Sequence, residues 1–190
     1  MATKAALGYI LSLVVADSVF MGGLMVTDTG GLPLEFRYTE PVRATKLQRL
    51  LYGDVLEKYI HGDVIAAGLM SRLDQSPDFF IVADPALLEM VDSAGKKAVL
   101  LLHGYVTPLK QFGAIQELSE NEFFLQLADS GSPVRVRVAG RSAEAASRAE
   151  IVRLLTEAGR TLDPAEPLAR VEAAVRMLWD ETGQTLEHSE

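Results

Sequence analysis

At 190 residues, with 48% hydrophobic and 23% charged side chains, the chain has the composition of one folded globular unit and is too apolar to be disordered. Cysteine is absent, which excludes disulfides, thiolate metal sites and cysteine nucleophiles. A net charge of −8 disfavours nonspecific attraction to nucleic acid or anionic membrane, and proton or metal chemistry has His61, His103 and His188 to draw on.

The apolar run from Ala5 to Ala16 is too short to span a bilayer, which takes about 20 residues. A second apolar run follows Asp17 where a secretory signal would give way to a polar start, so a buried strand and a cytoplasmic protein are expected. Leu7 to Ala16 and Val19 to Thr27 read as strands, with Gly22-Gly23 marking a bulge or a close approach. After the Thr27 to Gly31 turn, Leu34, Phe36 and Tyr38 alternate with Glu35, Arg37 and Thr39, predicting a hairpin with one buried and one wet face.

Residues 45 to 73 read as interrupted helix. Thr45 and Gln48 form a capping box, and Leu47, Leu50 and Leu51 an apolar stripe. Gly53-Asp54-Val55 recurs as Gly62-Asp63-Val64, which predicts two helix junctions, with His61 ending a short helix between them. Phe79 to Val82 is a short strand, and Asp84-Pro85 a helix start. Ala98 to Val106 reads as a strand, Ala114 to Leu118 as extended, and Phe123 to Leu127 with Val134 to Val138 as a second hairpin. From Ser142 the chain turns alanine-rich. One helix stops at Gly159, and a longer one starts at Asp163-Pro164 and runs to about Gly183 with Leu168, Val171, Val175, Leu178 and Trp179 on one face.

Candidate chemistry is sparse. Leu102-His103-Gly104 resembles the opening of an α/β-hydrolase oxyanion loop, but no G-x-S-x-G elbow follows, and the glycines fit neither nucleotide-binding loop. His61 with Asp63 is the close imidazole–carboxylate pair, without the further ligands a metal needs. No catalytic, metal or cofactor site is therefore expected, and no cofactor. After Lys110 every base is arginine, and Arg135, Arg137 and Arg141 form a candidate anion-binding edge. Phe36, Arg37, Tyr38, Tyr52, Tyr59 and Trp179 form a candidate interface, being residue types enriched at binding hot spots.

The stretch Gly22 to Phe36, with its acid-ended strand, glycine turn and Gly31-Leu32-Pro33-Leu34 return, resembles the first hairpin of roadblock and longin-type, profilin-like domains. That resemblance implies a non-enzymatic regulatory module working through protein contacts, as a homo-oligomer or with a small GTPase. The resulting expectation is an α+β fold: an antiparallel sheet with helices packed on it over residues 1–140, and a C-terminal helical pair over 141–190. A protein partner is expected, with no membrane and no nucleic acid. The alternative is a small-molecule sensor or an unrecognised hydrolase centred on His103, and behind it nucleic-acid binding through the arginine edge.

Overall fold

The computed structural model describes residues 5–129 and 131–187. The strands are β1 (Ala6–Ala16), β2 (Val19–Asp28), β3 (Pro33–Tyr38), β4 (Val42–Arg43), β5 (Phe79–Val82), β6 (Ala98–Leu102), β7 (Ile115–Ser119), β8 (Glu122–Leu125) and β9 (Val134–Val138). They form one mixed sheet in the order β3-β2-β1-β5-β6-β9-β8-β7, with β4 beside β2. The expected α+β class holds, and most pairings are antiparallel. The centre is different: β1, β5 and β6 run parallel.

Parallel pairing explains why β1 reads as a nearly unbroken apolar run. A strand at the middle of a sheet covered on both sides must be apolar on both faces. Leu7, Tyr9 and Leu11 point into one cluster and Ala6 and Ile10 into the other. The first cluster is roofed by α5 (Ala145–Ala158) and α6 (Glu166–Glu187), through Ile151, Leu154, Leu155, Val171 and Val175. The two C-terminal helices thus cover the sheet. Tyr9 is almost fully buried there, and burial pushes its phenol pKa upward.

The second cluster is roofed by one helical run that changes pitch. It comprises α1 (Lys46–Tyr52), a 3₁₀ turn (Gly53–Val55), α2 (Leu56–Tyr59), a π-helix (Ile60–Ala66) and α3 (Ala67–Ser71), followed after β5 by α4 (Pro85–Ser93). The Thr45–Gln48 capping box and the Asp84 cap with Pro85 behind it are both present. The first Gly-Asp-Val is a junction between helices. The second is not: it lies inside the π-helix, so His61 sits within a continuous run and not at a helix end.

Of the two readings of Gly22-Gly23 the bulge fails, and three further expectations are corrected. Gly22 and Gly23 stay in register with Ser12 and Leu11, so neither is a bulge. A Cβ on Gly22 would collide with Ile65 of the π-helix, which is the close approach this glycine permits. The Leu34–Phe36–Tyr38 face of β3 is exposed, since β3 is the sheet's outer strand. β6 stops at Leu102, leaving His103 to Val106 outside the sheet. α6 continues through Gly183 to Glu187, and His188 lies outside the described residues.

Candidate functional site

In an open sheet with parallel strands, the natural crevice lies at their carboxyl ends, where the chain leaves one strand in opposite directions. Here β2 and β3 lie to one side of β1, while β5 and β6 lie to the other. Ile10 pairs with Val82 across the switch point. Two residues beyond them come Ser12, still in β1 and on the face that carries the helical run, and Asp84, past the end of β5 as the cap of α4.

The π-helix brings His61 over this end of β1. Its Nδ1 lies 2.6 Å from Ser12 Oγ, and its ring meets Phe20 edge-on at 5.1 Å. Single stretches of π-helix are frequent at functional sites, because the extra residue turns side chains to directions an α-helix does not offer. Two glycines permit the close packing: Gly22 under Ile65, and Gly62 against the Met90 side chain of α4. Ser12 also pairs with Gly22 across the β1–β2 ladder.

Ser12, His61 and Asp84 are each half-buried, which leaves the pair open to a ligand. Burial holds the His61 pKa below its ordinary 6.5, against the upward pull of the Asp84 and Glu57 charges. At neutral pH the ring is therefore uncharged and accepts a proton; once protonated, it has a carboxylate field to sit in. Asp84 Oδ1 accepts from the Leu87 N–H at 3.0 Å, which fixes the carboxylate at the amino end of α4. Among the described residues, no three His, Asp or Glu side chains converge as a set that could hold a metal ion.

The residues singled out from sequence fall elsewhere. Phe36 and Tyr38 stack at 5.9 Å on β3, with Arg37 between them bound to Glu35 and Asp74 at 2.7 Å each. Tyr52 and Tyr59 pair at 4.9 Å, and Tyr59 packs against the second cluster. Trp179 packs against the first cluster, under the Arg43 guanidinium at 5.8 Å. With the sheet between Tyr59 and Trp179, the six do not form one surface.

Arg135 and Arg137 both bind Glu122, whose carboxyl they hold below its usual range, chiefly through Arg135. Arg141 belongs to a 3₁₀ turn (Gly140–Ala143), and its backbone N–H is bound by Asp92. The arginine edge is therefore partly neutralised within the fold. His103 faces Asp163 at 3.7 Å beside a hollow of about 940 Å³, both side chains more than half exposed.

Sequence reasoning pairs His61 with Asp63 and misses Ser12, 49 residues away. The available signal is the hydroxyl itself: Ser12 interrupts an otherwise apolar strand centre at Leu11-Ser12-Leu13.

No family model matches the sequence, and no curated protein matches it. Solved structures do match the fold. Endonuclease V from Streptomyces avermitilis superposes with a TM-score of 0.60 at 13% identity, covering 95% of this chain and 83% of that one. This is an endonuclease V-like fold. The human enzyme gives a TM-score of 0.56 at 15% identity over 95% of this chain and 86% of its own. The Ciona intestinalis enzyme, solved with a 23mer DNA containing an inosine followed by a ribo-adenosine, gives 0.54 at 9% identity over 93% and 86%.

These matches correct the resemblance to roadblock and longin-type domains. The shared hairpin is a local likeness only, because β1 precedes it at the sheet centre and pairs in parallel with β5. The expectations of a non-enzymatic regulatory module, a protein or small GTPase partner and a homo-oligomer rested on that resemblance and fall with it. The expectation against nucleic acid came from the net charge and from the few aromatics among the arginines; it is overturned too, since matched structures of this fold were solved with DNA. As for membranes, no helix among the described residues is long and apolar enough to cross one.

Proposed function

We propose that this chain binds nucleic acid across the carboxyl ends of β1 and β5 and hydrolyses a phosphodiester there. The observation that carries the reading is the Ser12–His61–Asp84 constellation at the switch point of an endonuclease V-like sheet. Neutral His61 serves as the base, and Asp84 steadies the charge that His61 acquires. The acidic net charge does not oppose this locally. On the helical run leading to His61, Lys46, Arg49 and Lys58 offset Asp54, Glu57 and Asp63, so the run does not share the net acidity of the chain. Exposed Tyr52 beside Tyr59 offers a ring for base stacking. The cytoplasmic setting expected from the sequence suits such a substrate.

The test is direct. End-labelled single- and double-stranded DNA and RNA, with and without inosine, are incubated with the full chain at low salt. Binding with cleavage that His61→Gln abolishes is the expected result. Absence of both from every oligonucleotide would refute the reading.

A further inference from the structure

A base beside a scissile phosphodiester has two nucleophiles to activate: water, or a side-chain hydroxyl already in its grasp. We infer that the attacking group is Ser12 itself, so that the reaction passes through a phosphoserine; this rests on the hydrolytic reading above. The geometry favours the side chain. With the imidazole proton on Nε2, Nδ1 accepts from the Ser12 hydroxyl at 2.6 Å, the contact that defines a nucleophile–base pair. Ser12 comes from the middle of an eleven-residue central strand and His61 from a π-helix packed against Gly22, the residue paired with Ser12. Both partners are thus held by backbone and not by flexible loops. Phe20 lies edge-on to the imidazole, restricting its rotation.

Ser12 Oγ gives its proton to His61 Nδ1 and forms a bond to phosphorus. The sugar oxygen leaves on the opposite side and takes a proton from water, releasing hydroxide. That hydroxide attacks the phosphoserine, the bond between phosphorus and Oγ breaks, and Ser12 recovers its proton from His61. One water is consumed, and the products are a phosphate monoester end and a free hydroxyl end. Asp84 acts through the imidazolium during the interval when His61 is charged.

The experiment uses a fluorophosphonate, which phosphonylates activated serines whatever their natural substrate, with the labelled peptide located by mass spectrometry. A single adduct on Ser12 is expected, with none on Ser71, whose exposed hydroxyl is bonded to the Gly68 carbonyl. Ser12→Ala should abolish labelling, and His61→Gln should slow it by about 10²-fold or more. Ser12→Cys, which keeps a nucleophile in place, should be alkylated by iodoacetamide at a rate that His61→Gln lowers, giving a readout if the alanine variant folds poorly. An unlabelled Ser12 in folded wild type, or labelling equally fast without His61, would overturn the inference. The two readings fail separately. Oligonucleotide cleavage with no adduct on Ser12 leaves a water mechanism and removes the nucleophile. An adduct on Ser12 in a chain that neither binds nor cuts oligonucleotides keeps the nucleophile and removes the substrate class.

Discussion

His61 is held between two opposing influences: burial expels its positive charge, and the carboxylates of Asp84 and Glu57 invite it. Burial prevails, so the folded-state pKa lies below 6.5 and the unfolded-state value stays near it. Activity that needs the neutral ring should rise through an acid limb below pH 6.5 and level off above it. Removing the Asp84 charge with Asp84→Asn should shift that limb further toward acid, read from kcat against pH. The same sign governs stability. A lowered pKa contributes stability above about pH 6.5 that is lost as pH falls through the folded value, so wild type should lose melting temperature more steeply than His61→Gln on acidification. Little of this is legible in the sequence. Asp84 reads there as a helix cap and Ser12 only as a strand residue, because the 49-residue separation of Ser12 from His61 is closed by topology and not by spacing.

The elements are far more legible than their pitch or exposure. Continuous apolar runs mark β1, β2 and β5, a cap marks α4 and an apolar stripe marks α5, where local preference and tertiary burial agree. The run from Lys46 to Ser71 is harder, since a π-helix has no sequence signature distinct from an α-helix and glycine is read as a stop. Its apolar stripe misleads in another way. Leu47, Leu50 and Leu51 are 63%, 81% and 70% exposed, whereas Leu69 at the other end is buried. Leu50→Ala should therefore leave the melting temperature nearly unchanged, within about 0.5 kcal/mol of stability, while Leu69→Ala should cost about 2–5 kcal/mol by denaturant titration. Gly22→Ala would drive a methyl into Ile65 and should cost about 1–3 kcal/mol. Because the shift propagates to the helix bearing His61, the same variant should lose more activity than stability.

At the scale of the molecule, composition identifies a globular chain correctly but is a poor guide to partners. A net charge of −8 averages over a helical run whose bases and acids balance and a more acidic remainder, and binding responds to the local field. If phosphates are met by Lys46 and Arg49, the double variant Lys46→Ala with Arg49→Ala should weaken oligonucleotide binding and flatten the slope of log affinity against log salt by about 2. The order of strands is the part no local pattern could reveal. Parallel pairing of β1 with β5 joins segments some 70 residues apart, and it is this pairing that brings the start of α4, with Asp84, to the Ser12 end of β1. The most direct test of the whole account is cleavage of an end-labelled oligonucleotide at low salt by wild type, Ser12→Ala and His61→Gln, with binding measured in parallel. Wild type should bind and cut, and His61→Gln should bind within a few-fold yet cut about 10²- to 10⁴-fold more slowly, with Ser12→Ala similarly impaired. Cleavage undiminished in both variants, or a wild type that does not engage nucleic acid, would contradict it.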